Sequence, residues 1–579
     1  MKKSTRFLAL VMTVVMLLGA CPAFAESIFD IFPREDGPIT LTVYSQLANY
    51  SGLQGGWSAT LLEDKFNVKV NIIPDSDGTY ETRMESGNLG DIVVWGSNGD
   101  DYQNAVDKGM LLDWEEDDLM QTWAPYLTAN YTAALEANRK INGNDKIHGF
   151  GFNVATTEGA HQSFFYTWDL RWDLYKELGY PAVKDLDGLI EVFKQMKAIC
   201  PTDENGNETY AVSVWPDWDG NMVMYVKALA TAYYGYDELG IGHINPINGE
   251  FYDCLAEGSP YMECLKFFNK LYQNDLLDPN SMTQTFEKMS EKLKAGGTFW
   301  SIFNYAGSMA YNTTEHLDAG KYMYAMVPEE AKPIVYGLGN QGGNRIWSIG
   351  ADTEYPELCL AVLDWLATPE GSMTMWYGPK GLMWDYNEQG GMYFTELGNL
   401  CNKDSKYDLT GVEWTSPDTG NTYTLSNNFN DGCLQINNTT LSKDMINPEG
   451  KLGEAFNSDT WASQLAGVVY PIQQDWRDYT GYTLAEQYME NHPYLLMPDV
   501  NYKESAKDDT LKVVWGQVTK AIVTYSWRAI YAKSDAEYNF HVREMRKICD
   551  QYGYDKCVEW SRGEANAKWD LCKEVLGIQ

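Results

Sequence analysis

The stretch Arg345–Trp384, RIWSIGADTEYPELCLAVLDWLATPEGSMTMWYGPKGLMW, constrains this chain more than any other. A short strand-like run, Arg345–Ile349, crosses a Pro-Glu turn into an amphipathic helix that stops at Ala367-Thr368-Pro369-Glu370-Gly371. The chain then continues to Gly378-Pro379-Lys380-Gly381. Proline stands where a helix begins and glycine where the backbone must turn, so each boundary is marked by its own local chemistry. Strand, turn and helix in this order belong to a layered α/β sheet rather than to an all-helical bundle or a β-sandwich.

The N-terminal part repeats the pattern. Ile39–Tyr44 and Val68–Ile73 alternate like strands on either side of a helix-like Trp57–Phe66. Asp91–Trp95 is a third short apolar strand, and a helix is expected over 105–112. At 579 residues the chain is long enough to bury two cores.

The first residues read as an export leader: Lys2, Lys3 and Arg6 precede an apolar run, Phe7–Leu18, that is short for a membrane span. Two processing signals compete. Leu18-Gly19-Ala20-Cys21 has the form of a lipobox that would leave a lipidated Cys21, and Ala23-Phe24-Ala25 that of ordinary cleavage after residue 25. Loss of the leader takes the formal charge from −37 to −40. Such a surface repels nucleic acid and anionic headgroups, so membrane contact is expected only through a lipid anchor.

Enzymatic signatures are missing from the sequence. No GxSxG elbow, HExxH helix or P-loop occurs, and the six histidines never fall at metal-ligand spacing. Gly337–Gly342 fits GxGxxG, but a strand-like run follows it where a dinucleotide fingerprint must open a helix. Asp203-Glu204-Asn205-Gly206-Asn207-Glu208 begins like a calcium loop, yet Ala211, Val212 and Val214 stand where late acidic ligands are needed, and it reads as a polar turn. Nine cysteines follow Cys21 without CxxC spacing, and they read as buried thiols. No catalytic residue, metal or cofactor is expected.

Several passages together resemble the family 1 extracellular solute-binding proteins that serve ABC importers. These are the opening stretch; Gly90-Asp91-Ile92-Val93 with Lys108-Gly109-Met110-Leu111-Leu112; the passage Leu170-Arg171-Trp172-Asp173 to Leu178-Gly179-Tyr180-Pro181; and the closing helices around Trp527-Arg528 and over 537–549. Gly90 replaces the proline usual in the family. The resemblance implies an α/β, two-lobed periplasmic-binding-protein type II fold with a multi-stranded hinge and an interlobe cleft. The expected first lobe is 39–156 plus 331–385, and the second is 157–330 plus 386–579 with a C-terminal extension; residues 385–500 are placed only loosely.

The resemblance further implies a monomeric, extracytoplasmic protein, anchored or free, that captures a carbohydrate and delivers it to permease subunits. Long members with many aromatics resemble oligosaccharide carriers, and 20 Trp and 39 Tyr supply rings that can stack on sugar faces. Expected ligand contacts are Trp57, Trp95, Trp215, Trp218, Asp219, Trp300, Tyr305, Trp347 and Trp384, with Asp219 as an acceptor for hydroxyls. A secreted glycan-degrading hydrolase and a peptide-binding protein of the same general fold remain as alternatives.

Overall fold

The computed structural model describes residues 27–578 apart from 77, 152, 157–159, 340, 341, 344, 439, 468, 501 and 503. The leader and Cys21 lie outside the described residues. The described residues form two compact units, one drawn from 27–156 and 340–463 and one from 157–339 and 464–578, so the chain passes from one to the other three times.

The first unit is built on a six-stranded sheet in the order Gly52–Leu53, Val68–Pro74, Ile39–Ser45, Ile92–Val94, Trp347–Ile349, Gly149–Phe150. Ile39–Ser45 runs parallel to both of its neighbours, while Trp347–Ile349 is antiparallel to Ile92–Val94 and to Gly149–Phe150. The parallel pair arises because the helix Gly56–Phe66 carries the chain back between strands. That helix ends on Asn67 in the left-handed conformation, a position that asparagine tolerates better than most residues. The opening stretch becomes the strand Trp347–Ile349, then two helices, Pro356–Ala367 and Pro369–Tyr377. Thr368 separates the helices and caps the second by accepting from the amide of Gly371 at 3.0 Å.

Three sequence expectations shift here. The helix expected over 105–112 forms earlier, at Asp100–Asp107, with Asp100 and Asp101 in its first turn. Gly109, at φ +67, ends the run, and Leu111 is left to bridge to Gly350.

The second shift concerns the insert. Residues 386–463 belong with the first unit, not the second lobe to which they were assigned. Leu409, Trp414, Leu425 and Phe429 share one buried cluster with Trp57, Leu61 and Met383. Gly56 and Gly432 bring the two segments together: a Cβ on Gly56 would lie 2.4 Å from the Cα of Gly432, so only glycine permits the approach. Residues 331–339, expected in the first lobe, join the second unit, where Ile334–Tyr336 pairs in parallel with Leu495–Met497.

The second unit holds an antiparallel sheet of Trp300–Phe303, Tyr166–Arg171 and Met323–Ala325 in that order. Its helices match their sequence signals. Asp185 caps Leu186–Ile199, Thr285 caps Phe286–Lys294, and Ser534 caps Asp535–Tyr552, each through a side-chain oxygen that accepts from an amide in the first turn. The chain ends in three long helices, Asp509–Ile530, Asp535–Tyr552 and Tyr554–Leu576. Cys200, Cys254, Cys264, Cys359, Cys401, Cys433, Cys549, Cys557 and Cys572 are free thiols. Among the described residues no helix is long and apolar enough to cross a membrane.

Candidate functional site

Of the nine expected contact residues, six are indoles packed inside one unit or the other. In the first unit, Trp57 is 1% exposed, stacks on Phe429 at 5.9 Å and donates its indole N–H to the Phe429 carbonyl at 3.0 Å. Trp95 lies edge-on among Tyr44, Tyr80 and Tyr102 and donates to the Ser348 hydroxyl at 3.2 Å. Trp347 is buried in the sheet, and Trp384 is buried with its N–H given to the carbonyl of Gly378 at 2.9 Å. In the second unit, Trp300 is buried against Trp168, Phe193 and Phe267. Trp215 is buried beneath Trp218, Tyr225 and Phe286. None of these rings offers a free face to a ligand in this conformation.

Asp219 is also committed to the scaffold. One carboxylate oxygen accepts from the amide of Met224 at 2.8 Å, where a helix begins, and the other from the indole N–H of Trp527 at 2.7 Å. Burial raises its pKa above the ordinary carboxylate range. Asp219 therefore holds the loop that carries Trp218, rather than reaching out from it.

Trp218 and Tyr305 remain, and the structure brings them together. Trp218 is 47% exposed and stacks on Phe286 at 4.9 Å, with Tyr305 at 6.0 Å. Tyr305 stacks on Phe303 at 5.0 Å, and Phe303 lies 5.6 Å from Phe165, which is 53% exposed. The result is an aromatic ridge on the second unit, from Trp218 through the half-buried Phe286 and Tyr305 to Phe165. Exposing large rings together costs apolar hydration, and a patch of this kind is a candidate binding surface, with Phe165 set beyond the buried Phe303.

The backbone beneath the ridge fixes its rings. Asp217 accepts from the amide of Phe286 at 2.9 Å, tying the Trp218 loop to the first residue of the helix that carries Phe286. Phe303 is the last residue of its strand, and the tight turn Asn304–Ala306 then presents Tyr305. Asp169, 1% exposed in the neighbouring strand, accepts from the amide of Ser308 at 2.6 Å and so anchors the far side of that turn. Desolvation pushes its pKa up to about 6. Burial likewise pushes the Tyr305 phenol up to about 12, leaving it a neutral donor at any physiological pH.

Sequence reading passed over Phe165 and Phe286. Phe165 had a signal: in Phe164-Phe165-Tyr166 the alternation of a strand edge sends the middle ring to the face opposite its neighbours. Phe286 had none, because the first residue of an amphipathic helix is indistinguishable from a core anchor until its neighbours are known.

The strand ends of the first unit form a polar rim of a different kind. Gln46 accepts from the amide of Gly96 and donates to Asp101, both at 2.9 Å, joining the loops that follow two parallel strands. The 203–208 turn satisfies itself. Asp203 accepts from the amides of Asn205 and Asn207, while Glu204 pairs with Lys321 at 2.5 Å and with His316 at 3.0 Å. Among the described residues, no group of three or more His, Cys, Asp or Glu side chains is placed to hold a metal ion.

An α/β sheet unit with parallel strands, paired with a second unit that the chain enters more than once, is the architecture of periplasmic solute-binding proteins. The profile of the bacterial extracellular solute-binding protein family matches residues 58–383, more than half of the chain. The chain belongs to that family.

Lipoprotein LipO of Bacillus subtilis (strain 168) is 24% identical over 237 residues, a match that spans 40% of this chain and 42% of the relative's length. Two solved structures share the fold. An HMO-binding ABC-transporter-associated solute-binding protein from Bifidobacterium longum infantis ATCC 15697 aligns with a TM-score of 0.52 at 13% identity, over 92% of this chain and 99% of that one. An extracellular solute-binding protein from Bifidobacterium longum subsp. infantis aligns with a TM-score of 0.50 at 14% identity, with the same coverage.

Proposed function

We propose that this protein captures an oligosaccharide outside the cytoplasm and delivers it unchanged to the permease subunits of an ABC importer. The observation that carries the reading is the aromatic ridge Trp218–Phe286–Tyr305–Phe165 in a chain of the solute-binding family. Aromatic faces meet the apolar faces of sugar rings, and the flanking hydroxyls then find polar partners. The HMO-binding relative has the same fold, and LipO is a lipoprotein; both support an exported carrier.

Within this reading Trp218 and Tyr305 touch the ligand, joined by Phe165 and Phe286. The buried Trp57, Trp95, Trp215, Trp300, Trp347 and Trp384 support the surfaces from behind. Capture of this kind needs no nucleophile, metal or cofactor. It works as a monomer that shifts towards its ligand-bound conformation when the ligand contacts that state best.

Thermal unfolding against a panel of oligosaccharides, monosaccharides and short peptides tests the proposal, because a ligand of the native state raises the melting temperature by mass action. A saturable rise with oligosaccharide that is recovered intact is the expected result. Recovery of cleaved sugar would make the protein a hydrolase, and a rise with peptides alone would move it to peptide capture.

A further inference from the structure

The ridge has a charge character as well as a shape. Four segments build it, 163–166, 215–219, 285–287 and 301–309, and together they contain no lysine, arginine or histidine. They do contain three carboxylates, Asp217, Asp219 and Glu287. Asp217 and Asp219 are fixed by the hydrogen bonds that shape the Trp218 loop, so neither can swing away from an approaching ligand. Asp169 adds a fourth acid below the Tyr305 turn, and Glu486 accepts from the amide of Phe164 beside Phe165. The nearest cation on the Phe286 helix, Lys288, is paired with Glu291 at 2.9 Å.

An anionic sugar laid along these rings would bring its carboxylate or sulfate towards fixed negative charges, with no lysine or arginine in the segments that build the ridge. Juxtaposed like charges cost several kcal/mol when solvent is excluded. An uncharged sugar meets no such cost, and its hydroxyls can donate to the exposed Asp217 and Glu287.

Resting on the carbohydrate-capture reading above, we propose that the ridge selects an uncharged oligosaccharide over an anionic one of the same length. The test is retention of the full mature protein on an immobilised array holding neutral and uronic-acid or sulfated oligosaccharides of two to six units. Affinities of the retained glycans are then measured in solution at low and high salt, for the wild type and for Trp218→Ala and Glu287→Lys. The expected result is retention of neutral glycans, at least about tenfold tighter than anionic counterparts of the same length. Trp218→Ala should weaken that binding, and Glu287→Lys should narrow the gap between the two classes by improving anionic glycans. Tighter binding of anionic glycans, or equal binding of the two classes, overturns the charge selection and leaves carbohydrate capture standing. Retention of no glycan overturns the capture reading, and the selection with it.

Discussion

The buried carboxylate of Asp169 accepts a hydrogen bond of 2.6 Å from the backbone amide of Ser308. A strand in the middle of a sheet thereby holds the turn that presents Tyr305 to solvent. The cost is an acid 1% exposed in an apolar setting, and desolvation raises its pKa from 3.8 to about 6. A carboxyl whose folded pKa is raised favours the folded state most when it is protonated. Its contribution is complete below pH 3.8 and is lost as pH rises through 6, a difference of roughly 3 kcal/mol. Asp169→Asn keeps a carbonyl oxygen for the Ser308 amide and carries no charge. The melting temperature of the variant relative to wild type is therefore expected to be lowest near pH 4 and to rise towards pH 7.5. A difference that stays flat across that range would mean the carboxyl does not titrate in the fold.

Gly307 sits against the same anchor. A Cβ there would lie 2.6 Å from the Asp169 carboxylate and 2.7 Å from the Phe303 carbonyl, and neither can retreat. Gly307→Ala must push the turn outward, at a cost of about 1–3 kcal/mol. The expected outcome is a lower melting temperature together with weaker ligand binding, because Tyr305 moves with the turn. A variant with wild-type affinity and stability would show that the turn is free to adjust.

Trp215 and Trp218 stand three residues apart in one loop and 5.1 Å apart in space, yet they do opposite work. Trp218→Ala removes a half-exposed ring and should lower affinity about tenfold, with little change in melting temperature. Trp215→Ala empties a buried site and should cost about 3–5 kcal/mol of stability. Calorimetric titration and thermal unfolding of both variants separate the two roles; the same balance of effects in each would contradict the division.

That pair also marks the limit of what the sequence discloses. The strand–helix–strand opening and the turn at Pro369 were legible because each rests on local chemistry. Which indole faces solvent was not, since Trp-Pro-Asp-Trp reads the same whichever ring is inside. Burial is decided by partners far along the chain, such as Phe286 for Trp218 and Phe429 for Trp57. The insert 386–463 was misassigned for the same reason. Its own polar composition carries no address, and its place is set by a glycine pair, Gly56 and Gly432, that are 376 positions apart.

The contact between Trp57 and Phe429 tests that placement directly. The rings stack at 5.9 Å and 15°, and the indole N–H donates to the Phe429 carbonyl at 3.0 Å, so each residue loses most of its environment if the other is removed. Trp57→Ala should destabilise the protein by about 3–5 kcal/mol, and Phe429→Ala by a similar amount. Because they share one buried cluster, the double variant should be less destabilised than the two single effects predict, by about 0.5–3 kcal/mol. Trp57→Phe retains a stacked ring and loses only the hydrogen bond, for about 0.5–1.5 kcal/mol. Denaturant unfolding of the four variants gives the coupling. Strictly additive losses would mean that residues 386–463 fold as a layer independent of the helix Gly56–Phe66, whereas a clear coupling makes the insert part of the first unit's core.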